Sequence, residues 1–178
     1  SFNVANIGYF DNPKMEYVIT EMRPRRPLKN FLWNEQFIMI LDHFGFGESF
    51  RYITPEERRF VVTNGEAGRM VYVKDRETGE FYDANRNFLN KPFSKYECHV
   101  GIGYQQIVSE YKGIEVKFTL TAPKQGFAEL WKIEVKNNND TAKKIDITPY
   151  CRPAVNITSH LAYGHADYDE KLDGLYFS

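Results

Sequence analysis

The stretch Tyr96–Thr121, YECHVGIGYQQIVSEYKGIEVKFTLT, decides the fold of this chain. From Ile114 onward every second residue is apolar, and a period of two predicts a strand with one buried and one solvent-facing side. The first half, around Tyr104–Ser109, alternates less cleanly. Between the halves lies Tyr111-Lys112-Gly113, where the glycine takes a positive φ at no steric cost. The stretch therefore predicts an antiparallel hairpin.

The same strand and turn pattern covers most of the chain. The turn-forming breaks include Asn64-Gly65, Thr78-Gly79 and Asn137-Asn138-Asn139-Asp140. Candidate strands lie between the breaks, at Glu16–Thr20, Phe37–Leu41, Glu48–Tyr52, Arg59–Thr63, Arg69–Lys74, Lys95–His99, Tyr104–Tyr111, Ile114–Thr121, Ala128–Asn137 and Lys143–Cys151. Short serial strands with 14 Phe and 12 Tyr predict an all-β sandwich of antiparallel sheets. The best helix candidate, Thr54–Arg59, is a short one that begins with a capping threonine and a proline.

Composition excludes several classes of function. A net charge of −1 argues against a nucleic-acid binder, which would carry a basic excess. The one dense basic run, Arg23–Pro27, is interpreted as an exposed loop stiffened by two prolines. No window of 18 apolar residues exists, so no membrane span is expected. Cys98 and Cys151 make no disulfide framework, which predicts reduced thiols in a cytoplasmic protein.

Candidate sites for metal binding or catalysis are weak. His160, His165, Asp167 and Asp169 could hold a metal only if their loop folded around it, so no metal is expected. Cys98 and His99 are adjacent, but neighbouring strand residues face opposite ways, so Cys98 is predicted to be a core thiol and not half of a catalytic dyad.

Two further sequence features have structural interpretations. Gly101-Ile102-Gly103 lies among strands, without the context of a phosphate loop, and is expected to allow close backbone approach or to begin a bulge. The two tryptophans are candidates for a sugar-stacking platform. Trp131 alternates with Ile133 and Val135, which favours core packing, whereas Trp33 near the proline-rich turn could be partly exposed.

The ordered motifs also resemble a known family. Tyr96–Tyr104 and Ser109–Val116 are similar to the Y-E-x-x-x-G-x-G-Y and S-E-x-x-G-I-x-V segments of the inverting β-glycoside phosphorylases, the cellobiose and chitobiose phosphorylase family. Earlier segments resemble that family in the same order: Gly8–Asp11, Glu16–Thr20, Arg26–Leu32 and Gly47–Phe50. The family's R-x-x-R-Y-R-Y-N-N stretch is not matched at Arg58–Asn64, so a phosphorylase for another β-linked disaccharide or oligosaccharide fits as well as one for cellobiose.

The resemblance implies that residues 1–178 form an N-terminal super-β-sandwich domain, a fragment of an enzyme whose helical linker, (α/α)6 barrel and C-terminal domain are absent. The enzyme would convert a β-linked di- or oligosaccharide and inorganic phosphate into an α-sugar 1-phosphate, without a cofactor. The domain would buttress the barrel, help to form the active-site mouth and contribute to a homodimer. No catalytic residue maps onto this chain, and the resemblance leaves any substrate-binding residue unknown.

An alternative is a free-standing carbohydrate-binding or assembly module, favoured by the aromatic sandwich and the lack of an acid–base pair. The strand-like run Leu175-Tyr176-Phe177 at the end of the sequence suggests a truncated sandwich. With Phe127–Trp131 nearby, we expect exposed apolar surface, self-association through that edge and no phosphorolysis by the 178 residues alone.

Overall fold

The structure, a computed structural model, describes residues 7–26, 28–54, 57–62, 68–153 and 166–177. Within them every strand pairing is antiparallel, in four sheets. The largest sheet has the order β1-β2-β9-β10-β11-β12, and its strands are Gly8–Asp11, Glu16–Ile19, Lys95–Gly101, Tyr104–Tyr111, Ile114–Thr121 and Leu130–Asn137.

The other three sheets are smaller. The four-stranded sheet β3-β4-β5-β6 contains Lys29–Trp33, Phe37–Asp42, Gly47–Tyr52 and Arg58–Val62. The three-stranded sheet β13-β7-β8 contains Ile145–Cys151, Arg69–Asp75 and Phe81–Asp83. The two-stranded sheet pairs β14, Ala166–Asp169, with β15, Gly174–Phe177.

One apolar core joins the three larger sheets, which confirms the predicted sandwich. Its fully buried members come from all three, for example Phe118 on β11, Met39 on β4 and Val71 on β7. Alternate residues of β4 and β11 supply the buried side chains, so the period-two pattern of the sequence corresponds to the inward face of each strand.

The hairpin predicted from Tyr104–Thr121 is present with the predicted strand bounds. Tyr111 pairs with Ile114, and Lys112 and Gly113 have φ values of 48° and 75°. Two consecutive residues with positive φ match the right-handed twist of the flanking strands. The weaker alternation of β10 has a physical reason, because Gln105 and Ser109 occupy buried positions among the apolar residues.

The predicted helix at Thr54–Arg59 was wrong where the structure describes it. Arg58 and Arg59 belong to β6, and Thr54 accepts a hydrogen bond from the Glu57 N–H at 3.0 Å, so the threonine caps a turn. Pro55 and Glu56 lie outside the described residues. The only helix in the described part of the chain is the single 3₁₀ turn Asn12–Lys14, and no helix there could span a membrane.

The interpretation of Gly101-Ile102-Gly103 also needs correction. Gly101 is the last residue of β9, and Ile102 and Gly103 form the tight turn to β10, where Gly103 has a φ of 81°. A Cβ atom on Gly101 would lie 2.3 Å from the Tyr104 ring. The glycine therefore makes room for an aromatic side chain, and the strand pairing beside it runs without a bulge.

Candidate functional site

The adjacent pair Cys98 and His99 separates as the alternation of β9 predicts. Cys98 is fully buried in the core, and burial raises the pKa of its thiol. His99 points away from it and lies between two carboxylates, with Nδ1 2.7 Å from Glu16 and Nε2 2.9 Å from Glu97. Cys98 is therefore a core thiol, and Cys98 and His99 do not form a dyad.

No sequence pattern predicts this glutamate–histidine–glutamate group, because Glu16 lies on β2 and becomes a neighbour of His99 only through the β2–β9 pairing. Tyr104 also donates a hydrogen bond to Glu16. Burial alone would raise the pKa of Glu16, but the hydrogen bonds from Tyr104 and His99 outweigh it and lower that pKa. The His99 ring contacts Glu16 through one nitrogen and Glu97 through the other, so the group connects β2 to β9.

Only part of the weak candidate metal site named from the sequence lies within the described residues. His160 and His165 lie outside the described residues. Asp169 lies on β14, and its Oδ1 accepts the backbone N–H groups of Lys171 at 2.8 Å and Leu172 at 3.1 Å. Across the described ranges, no cluster of three or more His, Cys, Asp or Glu residues could hold a metal ion.

The two tryptophans differ as their sequence context predicts. Trp131 packs against the core beside Phe118, with ring centroids 5.3 Å apart. Trp33 is 71% exposed, and Phe31, two residues earlier on the same face of β3, is 56% exposed. The outer face of β3 therefore presents two aromatic rings to solvent.

A buried ion pair connects the sheets. The Arg69 side chain is 0% exposed, and its Nε and Nη2 donate to the two carboxylate oxygens of Glu129 at 2.7 and 2.5 Å. Ser49 and Trp131 also donate to this carboxylate. Burial would raise the pKa of Glu129, but the hydrogen bonds and charge of Arg69, with those two donors, hold it below its ordinary value. Because the two charges are buried and joined by two hydrogen bonds, this ion pair has a structural role and is not a reactive centre.

The strongest candidate for ligand binding is an open cavity of about 490 Å³. It lies among the loop after β2, the β4–β5 turn and the segment after β8. The described lining includes two arginines and no acidic residue; its members are Met22, Arg23, Pro24, His43, Phe44, Arg86, Asn87, Phe88 and Asn90. The basic run at Arg23–Arg26 is an exposed loop as predicted, and its first two residues form one wall of this cavity.

His43 and Asp42 adjoin the cavity, and burial shifts their pKa values in opposite directions. Burial lowers the pKa of His43, and its Nε2 lies 3.0 Å from the carbonyl oxygen of Met22, so that nitrogen carries the proton of a neutral ring. Burial raises the pKa of Asp42, whose Oδ1 accepts the N–H groups of Phe44 and Phe46. These bonds fix the β4–β5 turn that forms the floor of the cavity.

Comparison with known proteins identifies the fold. The family model "Glycosyl hydrolase 94, supersandwich domain" matches residues 15–165. The chain belongs to the glycosyl hydrolase 94 family. This supersandwich domain is 31% identical over 172 residues to the N,N'-diacetylchitobiose phosphorylase of Vibrio furnissii, an alignment that covers 93% of this chain and 21% of the relative.

Other relatives are also phosphorylases that align with this chain over part of their own length. The solabiose phosphorylase of Paenibacillus borealis is 26% identical, with 94% of this chain and 22% of the relative aligned. The cellobionic acid phosphorylase of Neurospora crassa is 30% identical, with 75% of this chain and 19% of the relative aligned. The supersandwich domain thus spans about a fifth of the length of the curated relatives that it matches. The family predicted from the ordered motifs is confirmed.

Proposed function

We propose that this supersandwich domain serves an inverting β-glycoside phosphorylase acting on a β-linked di- or oligosaccharide. The observation that carries the proposal is the match over residues 15–165 together with relatives that are all named as phosphorylases. A phosphate oxygen would attack the anomeric carbon as the glycosidic bond breaks, and a general acid would protonate the leaving oxygen. The products are an α-sugar 1-phosphate and the shortened acceptor, and inorganic phosphate is the only co-substrate.

In this proposal the domain acts as a scaffold that buttresses the catalytic barrel, borders the active-site mouth and contributes to a homodimer. Its exposed apolar residues support a contact role, since such patches usually mark interaction surfaces. They include Phe127, Leu130, Leu175 and Tyr176, which lie in the two segments predicted to be exposed. Both free cysteines, Cys98 and Cys151, support a reducing, cytoplasmic location.

The proposal is tested by assaying the protein from its complete reading frame in reverse, with α-glucose 1-phosphate and a panel of acceptor sugars. We expect phosphate release with at least one acceptor, and none from the 178 residues assayed alone. Absence of any phosphate-dependent reaction in either direction would refute the assignment. Sugar 1-phosphate formation by the 178 residues alone would refute the scaffold role.

A second function, carbohydrate binding without catalysis, is favoured by one observation. Trp33 and Phe31 project from the same face of β3, and residues two apart on a strand are spaced by about 6.6 Å. Aromatic rings exposed in this way can pack on the apolar faces of successive pyranose rings. Calorimetry with cello- and laminari-oligosaccharides separates the two functions. Saturable micromolar binding that is lost in Trp33→Ala supports the module, and absence of heat supports the scaffold.

A further inference from the structure

The cavity beside the β4–β5 turn is lined by Arg86, whose guanidinium has no hydrogen-bonding partner among the described residues. Arg86 is held by its backbone, whose N–H donates to Asp83 Oδ1 at 2.8 Å. Its side chain stacks over the Phe44 ring at 4.5 Å and near Phe88 at 5.4 Å. Among the described residues no hydrogen bond or ion pair to this guanidinium is found, so its N–H donors remain available to a ligand.

A second arginine, Arg23, lines the same cavity from the loop after β2. Arg23 donates through Nη2 to the Asn90 side-chain oxygen, which fixes the direction of its guanidinium. Three neighbouring carboxylates accept backbone N–H groups. Glu21 accepts that of Arg23, Asp42 those of Phe44 and Phe46, and Asp83 those of residues 86–88. Two arginines thus line a cavity whose described lining contains no acidic residue.

The chemistry of the walls indicates the class of ligand. Arginine stacked on an aromatic ring is the preferred group for binding phosphate or carboxylate, because its planar fork can donate two parallel hydrogen bonds. The cavity of about 490 Å³ is much larger than a phosphate ion needs. The exposed Phe88 ring, with Met22 and Pro24, gives the remaining space an apolar surface on which a sugar ring can pack.

We propose that this cavity binds a hexose-sized ligand that carries one oxyanion group, with Arg86 and Arg23 contacting the oxyanion and the aromatic wall contacting the sugar ring. Phosphate and carboxylate share this chemistry, so a sugar phosphate and a sugar acid are the two possible sources. The geometry of the cavity favours such a ligand whether or not the proposed phosphorylase activity is found.

The experiment is a calorimetric titration of the protein with glucose 1-phosphate, gluconate, inorganic phosphate and glucose. We expect saturable binding of glucose 1-phosphate or gluconate, and the stronger of the two identifies the oxyanion. Inorganic phosphate and neutral glucose should each bind at least tenfold more weakly. Failure of both charged sugars to bind, or equal binding of glucose or of free phosphate, would overturn the proposal.

Variants assign the binding to this cavity. Arg86→Gln should weaken binding of the charged sugar at least tenfold, and Arg86→Lys should recover only part of the loss, because lysine lacks the planar fork. Arg76→Gln, at an exposed arginine outside the cavity lining, is the matched control and should leave binding unchanged. Arg23→Gln, on an exposed loop, gives an independent test if Arg86→Gln does not fold. Unchanged binding in folded Arg86→Gln or in Arg23→Gln would refute the site.

Discussion

Replacing Glu129 by glutamine should destabilise the protein far more than removing an exposed charge. The Glu129 side chain is 6% exposed, and its carboxylate accepts two hydrogen bonds from a fully buried Arg69. Glutamine keeps the size but removes the charge, and it places an amide donor against a guanidinium donor. Breaking a buried ion pair at one partner costs about 3–5 kcal/mol, which for a domain of this size lowers the melting temperature by about 6–20 °C.

Equilibrium unfolding in urea measures this loss, provided that the slope of the free energy with denaturant stays unchanged. Asp146→Asn is the matched control, because Asp146 pairs with Arg76 at 3.7 Å with both side chains more than half exposed. This control should change the free energy of unfolding by less than about 1 kcal/mol. A loss below about 1 kcal/mol for Glu129→Gln would show that the pair is not the buried bond described above.

A double replacement separates charge burial from packing. Arg69→Met combined with Glu129→Leu removes both charges together, so neither remains buried without a partner. The double variant should be less destabilised than Glu129→Gln, because an apolar pair avoids the desolvation penalty. Ser49 and Trp131 lose their acceptor and limit the recovery. A double variant as unstable as the sum of its single variants would contradict this account.

Three further measurements test other parts of the structure. Hydrogen bonds from neighbouring lysines and a tyrosine lower the pKa of Glu80 to about 2. The contribution of Glu80 to the free energy of unfolding is therefore complete above pH 4.5 and is lost as the pH falls toward 2. Glu80→Gln should flatten that part of a plot of the free energy of unfolding against pH. Iodoacetamide should modify exposed Cys151 in the native protein and buried Cys98 only after unfolding, and labelling of both at equal rates would be contrary to the fold. Gly47→Ala places a Cβ 2.1 Å from a backbone oxygen and should lower the free energy of unfolding, measured in urea, by more than about 2 kcal/mol. Gly79→Ala has open space around the new Cβ and should lower it by about 1 kcal/mol.

The sequence predicts best those strands with one clearly apolar face. Tyr104–Tyr111 and Ile114–Thr121 are found with their predicted bounds, because their alternation and the turn at Lys112-Gly113 indicate the same hairpin. Strand β3, Lys29–Trp33, was missed. Only Leu32 of this strand is buried, and its aromatic residues face solvent, so no apolar face marks it in the sequence.

The candidate site could not be predicted in the same way. Arg86 follows a short strand that the sequence did not reveal, and Arg23 belongs to a basic run that was interpreted only as an exposed loop. Their common cavity depends on the packing of two distant loops against the β4–β5 turn. The one local signal was the Arg-Asn-Phe sequence at residues 86–88, which places a cation beside an aromatic ring but gives no information about its partners.

The order of strands in the largest sheet has a consequence for how the protein folds. Strands β9 to β12 are consecutive neighbours, so short turns bring them together at a small cost in chain entropy. The β1–β2 hairpin joins them only through β2 and β9, after an excursion over residues 20–94 that builds the four-stranded sheet and part of the three-stranded one. Within the largest sheet, closing that long loop joins the residues that are farthest apart in sequence, and we expect it to follow the meander. Hydrogen exchange during refolding should therefore protect the amides of β10 and β11 before those of β2. The Glu16–His99 contact then forms at the seam where the last part of the sheet is added.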